Sequence, residues 1–168
     1  MIVRDAAEPD FPAIAEIYGH HVLTGLASFE ETAPSPEELT ERWRAVTSHG
    51  LPYLVAEIDG RVVGYGYAAP YRSRSAYRFT VEDSVYIAAD SGGLGLGSAL
   101  LASLIERCRT GPWQQMVAVI GDSENHASIG LHRKFGFRHV GTLQRVGFKF
   151  GRWIDSVLMQ RALRGEGA

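Results

Sequence analysis

Three clusters in the 168-residue chain combine polar residues with patterns able to do chemistry. In Thr80-Val81-Glu82-Asp83-Ser84-Val85-Tyr86-Ile87, the residues Glu82, Asp83 and Ser84 interrupt what is otherwise an apolar strand. Burying a carboxylate without partners is costly, so the interruption fits a cleft where desolvation raises a carboxyl pKa and makes a general base. On an alternating strand, one of the two acids can also simply face solvent. Gly92-Gly93-Leu94-Gly95-Leu96-Gly97-Ser98 follows and opens an apolar helical pattern. Glycines let backbone N–H groups converge, and the positive end of the helix dipole joins them, so a diphosphate can be held without a basic side chain. The loop has no Lys and matches neither G-x-G-x-x-G nor G-x-x-x-x-G-K-[ST], which argues against a dinucleotide fold and a P-loop NTPase. The third cluster is Asn125, Ser128 and His132, which share one helix face at i, i+3 and i+7. Asn125 also reads as a helix cap, and the stripe as a solvated face.

These clusters sit on a legible order of elements. Ile2 to Arg4 reads as a strand, and Pro9 precedes Phe11, Ile14, Ile17, Tyr18 and Val22 at the spacing of a helix to about Gly25. Ser35-Pro36-Glu37-Glu38 reads as a capping box in which Ser35 takes an orphan N–H and Glu38 reaches back, starting a helix to about Ser48. Tyr53 to Ile58 and Val62 to Ala69 form a hairpin across Asp59-Gly60-Arg61. A strand over Thr80 to Ile87, a helix over Ser98 to Arg109, a strand over Met116 to Ile120 and a helix over Ala127 to Phe135, closed by Gly136, come next. Strands near Arg138 to Val146 and Ile154 to Gln160 finish the chain. The predicted fold is α/β: one mixed sheet, mostly antiparallel, with a central βαβ unit and flanking helices, in a single domain over 1–168.

At this length a folded chain exposes roughly 8,000 Å² and buries about 70% of its unfolded surface, enough for one core. With 45% hydrophobic and 21% charged residues, the composition excludes disordered, collagen-like and coiled-coil chains. Seventeen Lys plus Arg against 19 Asp plus Glu leave a net charge of -2, so nothing points to a nucleic-acid or membrane partner. Cys108, the only cysteine, can form no intrachain disulfide or Cys-rich zinc site. His20, His21, His49, His126 and His139 lack metal-ligand spacing and read as surface or packing residues, so no metal is expected. Met1-Ile2-Val3-Arg4-Asp5 shows no basic-then-apolar leader, and no run of about 18 apolar residues follows, so a cytoplasmic location is expected.

Taken in order, E-D-S-V-Y-I, G-G-L-G-L-G-S and N-x-x-S-x-x-L-H-x-x-F-G-F resemble the GNAT superfamily of acyl-CoA-dependent N-acyltransferases over nearly the whole chain. Ser28-Phe29-Glu30, Tyr71-Arg72-Ser73-Arg74-Ser75-Ala76-Tyr77, Thr80-Val81-Glu82, Val117-Ala118-Val119-Ile120 and Gly147-Phe148-Lys149-Phe150-Gly151-Arg152-Trp153 are similar to the branch that acetylates phosphinothricin and methionine sulfoximine. The resemblance implies that the strand carrying Val85 and Ile87 splays from its neighbour. The pantetheine of acetyl-CoA, the co-substrate, then bonds the backbone of Val85, Tyr86 and Ile87. Gly93, Leu94, Gly95, Leu96, Gly97 and Ser98 would hold its pyrophosphate, Asn125 would bond the pantetheine or the reacting end of the cofactor, and Ser128 would join in cofactor binding. The family usually carries Arg or Gln where Gly92 stands; backbone amides do most phosphate binding, so a modest loss of CoA affinity follows. The resemblance also implies a homodimer, with Lys149, Phe150 and Trp153 near the interface or the opposite active site.

Acyl transfer needs an amine freed of its extra proton, a stabilised oxyanion and a departing thiolate. Glu82 is the expected base and the Val85 N–H the expected oxyanion donor. His132 stands where many relatives carry a Tyr acid, though a thiolate also departs unaided. Arg72 or Arg74 can clamp a substrate carboxylate, with Ser73, Asp83 and Ser84 beside them and Phe29 walling the side-chain pocket. The expected function is acetyl transfer to the α-amine of a small amino-acid analogue: phosphinothricin, methionine sulfoximine or methionine sulfone. Two alternatives are acetylation of a protein N-terminus or other amine, which needs a groove, and a non-catalytic acyl-CoA sensor, which has no use for Glu82.

Overall fold

The structure is a computed structural model that describes residues 1–165. Seven strands form one sheet in the order β1-β2-β3-β4-β5-β7-β6: β1 (Ile2–Asp5), β2 (Tyr53–Ile58), β3 (Arg61–Pro70), β4 (Thr80–Ile87), β5 (Gln115–Gly121), β6 (Arg138–Lys149) and β7 (Arg152–Ala162). Four helices cover it: α1 (Phe11–Thr24), α2 (Pro36–Ser48), α3 (Leu96–Arg109) and α4 (His126–Lys134). Every neighbouring pair is antiparallel except β4 and β5, which α3 joins as the crossover of a βαβ unit. The mixed, mostly antiparallel sheet follows the pattern read from the sequence.

Local chemistry sets the boundaries. Asp59 and Gly60, at φ of 50° and 80°, turn β2 into β3 with two residues of positive φ. Ser35 Oγ accepts the Glu38 N–H at 3.2 Å, but the predicted return bond is not made: the Glu38 carboxylate faces Arg42 at 3.5 Å. α3 starts at Leu96 rather than Ser98, because Gly95, at φ 78°, already acts as its N-cap. β6 and β7 run longer than predicted, closing through Phe150 and Gly151, both at positive φ.

Strand alternation sorts the core. Tyr53, Val55 and Tyr65 face α1 and α2, where Phe11 and Trp43 pack beside them, while Leu54, Ala56 and Val63 meet Leu96, Leu100 and Leu104 of α3. Each fully buried Leu contributes about 1.5–3 kcal/mol. The described chain exposes 9064 Å², more than a compact chain of this length needs; Val146, Phe148, Phe150 and Trp153 of the β6–β7 ribbon, each more than half exposed, account for part of the excess.

Candidate active site

β4 and β5 pair from Thr80↔Gln115 to Asp83↔Ala118 and then separate, although β4 runs on to Ile87 and β5 to Gly121. β4 stays paired to β3 throughout, as far as Gly64↔Ile87. Gly66 of β3, opposite Val85, makes this approach possible: a Cβ there would lie 2.9 Å from the Ser84 carbonyl oxygen. Small residues on β3 thus let β4 lean away from β5 and open a wedge through the sheet. Sequence reasoning missed this pair of glycines, although Gly64-x-Gly66 inside an apolar strand was the available signal.

The wedge forms a cleft of about 270 Å³ lined by Asp83 to Ile87, by Ala118 to Gly121, and by Gly97, Asn125, Ser128 and His132. Ala88 N–H donates to the Val63 carbonyl at 2.9 Å across the β3–β4 ladder, which fixes its alternation. Tyr86 therefore turns its peptide groups to β3, whereas Val85 and Ile87 aim theirs at the cleft. Of the three backbones predicted to meet pantetheine, two offer free polar groups. His21 lies in the cleft wall rather than at the surface or in general packing, and its Nε2–H donates to the outward Ile87 carbonyl at 2.8 Å.

Gly93 and Gly95 sit at φ of 79° and 78°, a conformation that strains any residue with a Cβ, and the loop from Gly92 to Gly95 is exposed. It delivers the N-terminus of α3, with Gly97 at the cleft and Ser98 Oγ accepting from Lys134 Nζ at 3.2 Å. Leu94 projects outward, 59% exposed. Asn125 Oδ1 caps α4 by accepting the Ser128 N–H at 3.2 Å, so capping and a place at the cleft are both true of it. Backbone donors facing a diphosphate, and an unpaired strand edge facing an amide-bearing arm, fit acetyl-CoA chemically. Among the described residues, no three His, Cys, Asp or Glu side chains are grouped to hold a metal, and no helix is long and apolar enough to cross a membrane.

The neighbouring acids of β4 face opposite ways. Asp83 turns to α4, its Oδ2 2.9 Å from His132 Nε2, with both side chains buried. Glu82, Ser84 and Tyr86 share the other face, where Tyr86 meets the edge of Tyr18 at 5.0 Å. Burial, then the charge of Asp83, push the Glu82 carboxyl up to about 7, while Arg72 pulls it down. That value suits a base near neutral pH. Arg72, Ser73 and Arg74 line a separate hollow with Tyr77, Arg72 stacking 5.0 Å over the Tyr71 ring. The structure thus places Arg72 within the field of Glu82, and Asp83 away from the arginines.

The segment between α1 and α2 brings Phe29 to the end of the wedge. Its ring lies against Gly121 of β5 and Gly147 of β6, where a Cβ would meet ring carbons at 3.0 Å and 2.6 Å. Braces hold it on both sides. Lys149 Nζ, buried, donates to the Gly25 and Ser28 carbonyls at 2.9 and 2.8 Å; Ser28 Oγ lies 2.8 Å from the Tyr18 hydroxyl, and Arg42 clamps Glu30 with two bonds of 2.7 and 2.9 Å. Tyr18 also donates to Glu30. Neither Tyr18 nor Lys149 as a brace was foreseen; only folding brings together residues so distant in sequence.

Comparison with known proteins agrees with this geometry. Residues 11–137 match the family described as Acetyltransferase (GNAT) family. The phosphinothricin N-acetyltransferase of Alcaligenes faecalis is 60% identical over 161 residues, covering 96% of this chain and 82% of that protein. The L-methionine sulfoximine/L-methionine sulfone acetyltransferase of Pseudomonas paraeruginosa is 44% identical, covering 94% and 92%. The crystal structure of a GNAT superfamily phosphinothricin acetyltransferase from Sinorhizobium meliloti in complex with AcCoA superimposes with a TM-score of 0.94 at 44% identity, covering 99% and 94%.

Proposed function

The chain belongs to the acetyltransferase (GNAT) family, and from that premise we propose that it transfers acetyl from acetyl-CoA to the α-amine of a small amino-acid analogue such as phosphinothricin, methionine sulfoximine or methionine sulfone. The observation that carries this is the parting of β4 from β5 beyond Asp83, which leaves the outward peptide groups of Val85 without a β5 partner beside Glu82. A sensor could use the same slot, but it gains nothing from a carboxyl held near 7.

In this reaction the Val85 and Ile87 backbone holds the pantetheine arm, and the loop from Gly93 to Ser98 holds the diphosphate. Glu82 takes the proton that keeps the substrate ammonium from attacking. As the amine nitrogen bonds the thioester carbon, negative charge gathers on the carbonyl oxygen, and the Val85 N–H, fixed before the reaction begins, donates to it. His132 lines the cleft with both ring nitrogens bonded, to the Ser128 carbonyl and to Asp83, so the sulfur departs as a thiolate. Arg72 takes the substrate carboxylate, and Phe29 walls the side-chain end.

A single domain, a cytoplasmic location and a homodimer complete the proposal. The dimer is supported by the exposed apolar ribbon of β6–β7, where Phe148 and Trp153 pack at 5.0 Å and both remain open to a second copy. The test of function is release of free thiol from acetyl-CoA with phosphinothricin, methionine sulfoximine, methionine sulfone and a set of peptides. Turnover with the amino-acid analogues and none with peptides is expected. Peptide turnover alone moves the substrate to a protein N-terminus, and CoA binding without any turnover leaves a sensor.

A further inference from the structure

Where β5 stops, a side chain from another layer takes up one of the groups that β4 turns to the cleft. β5 ends at Gly121, and its register with β4, continued from Asp83↔Ala118, would bring Gly121 only as far as Tyr86. Ile87, the last residue of β4, thus points its carbonyl past the end of that strand. His21 of α1 meets it there, Nε2 lying 2.8 Å from the oxygen, and because a carbonyl only accepts, Nε2 carries the proton. The same peptide unit is held at its other end, where the Ala88 N–H donates to the Val63 carbonyl at 2.9 Å. A peptide is planar, so bonds at both ends fix its orientation. We propose that His21 is a positioning residue for acetyl-CoA: it aims the Ile87 carbonyl into the cleft, ready to accept an amide N–H of the pantetheine arm. This rests on the acetyl-CoA chemistry proposed above and assigns the far end of the binding edge to α1.

The carbonyl can take both bonds. Its oxygen carries two lone pairs, of which His21 uses one and leaves the other for the arm. A first hydrogen bond polarises the group and strengthens a second, so the ring assists the cofactor instead of competing with it. An acceptor oriented beforehand also spares the ordering cost that a loose strand end would add on binding. The position is a critical one in the chain. Ile87 is followed by the short helical turn Ala89–Ser91 and then by the exposed glycine loop, so the peptide held by His21 is the last point of β4 fixed before the diphosphate site.

The surroundings of the ring hold it in this place. His21 is half-buried, lines the cleft with Val85, Ile87 and Gly97, and lies 5.4 Å from the Tyr86 ring. Tyr86 also meets Tyr18, three residues earlier on α1, at 5.0 Å, so two neighbours on one helix face flank the end of β4. On its outer side the His20 ring stands edge-on at 5.8 Å, and His20 has a partner of its own in the Thr24 hydroxyl at 3.3 Å. A ring that served only to pack would need no nitrogen at the cleft. Here the nitrogen faces the one carbonyl that β5 is too short to reach.

The experiment separates cofactor binding from stability and from turnover. His21→Leu keeps apolar bulk and removes the donor, His21→Gln returns an N–H at nearly the reach of Nε2, and His21→Asn stops short of it. By calorimetry the Leu and Asn variants should bind acetyl-CoA about three- to tenfold more weakly and the Gln variant close to wild type, the loss expected for one hydrogen bond. S-acetylpantetheine, which has the arm without the diphosphate, should lose the same factor. In turnover the loss should fall on the KM for acetyl-CoA, with kcat and the amine KM held. Ring-nitrogen NMR of the wild-type protein should find the proton on Nε2. Leu and Asn variants that bind acetyl-CoA as wild type does overturn the inference, whatever their melting temperatures, and if the Leu variant does not fold, the Asn and Gln pair still decides. A loss for acetyl-CoA that S-acetylpantetheine does not share overturns it too, because the ring would then serve the diphosphate loop. So does a wild-type ring with its proton on Nδ1 alone. Absence of thiol release with every amine, while acetyl-CoA still binds and His21→Leu still weakens it, overturns the proposed transfer and leaves the role of His21 standing; a wild-type protein that binds no acetyl-CoA overturns both.

Discussion

Glu82 and Asp83 are consecutive carboxylates on one strand, yet the two faces of β4 treat them differently. On the face toward α1 and α2, Glu82 has desolvation, a like charge next door and only a distant Arg72, so its proton is held up to about 7. On the face toward α4, Asp83 has a dedicated cation partner at 2.9 Å and is almost fully buried with it. The difference is one residue of strand alternation, 180° of direction, and no difference in chemical type. A perturbed acid is made by withholding partners, and a structural acid by supplying one.

The sharpest way to break this comparison is Glu82→Gln. With the base removed, kcat should fall about 10²- to 10⁴-fold, and the rise of the wild-type rate with pH through about 7 should disappear. Stability should move the other way. Glu82 keeps its proton in the folded state at pH values where the unfolded chain has lost it, so native stability falls as pH climbs from the ordinary carboxylate range through about 7. Glu82→Gln should therefore melt above wild type at pH 8, which differential scanning calorimetry can check. An unchanged rate would remove Glu82 from the chemistry.

Asp83→Ala should do the reverse, lowering the melting temperature by about 10 °C, since removing one partner of a buried pair costs about 3–5 kcal/mol. The pH sign is set by His132, whose folded pKa is raised. The stability it contributes is fully present below its unfolded pKa and is lost as pH rises through the folded one. The deficit of Asp83→Ala should thus be largest in mild acid and shrink at alkaline pH. If both variants shift the melting temperature in the same direction at pH 8, the two faces are not distinct.

How much of this was legible beforehand depends on the range of the contacts. β4, the glycine loop and α4 were readable because period-two and period-3.6 patterns and caps are local signals, and Asn125, Ser128 and His132 do line one cleft, as their spacing predicts. The pattern did not reveal which acid faces which helix, because alternation assigns faces only once one neighbour is placed. The pairing of Asp83 with His132 spans 49 residues, and that of Lys149 with Ser28 spans 121. No local periodicity carries such contacts. His21 was read as a surface or packing residue because a lone histidine on an amphipathic helix has no spacing to betray the Ile87 carbonyl it meets.

Two smaller perturbations separate the amine end of the site from its diphosphate end. Gly147→Ala places a methyl where the Phe29 ring lies, a clash that costs about 1 kcal/mol if the ring gives way. The KM for the amine should rise about fivefold and that for acetyl-CoA should hold, because Phe29 is braced on the substrate side by Ser28, Glu30 and Lys149. Gly95→Ala is the mirror experiment and the mildest. A Cβ at Gly95 meets nothing within 4 Å, so the only penalty is the left-handed backbone at φ 78°, about 1 kcal/mol. That penalty should appear as a loss of about 2–4 °C in melting temperature and a few-fold weaker acetyl-CoA binding by calorimetry, with the amine KM unmoved. A Gly95→Ala protein that binds acetyl-CoA as wild type does, while melting lower, would mean that the loop's shape serves only to start α3. The diphosphate would then have to be held by α3 and Lys134 alone.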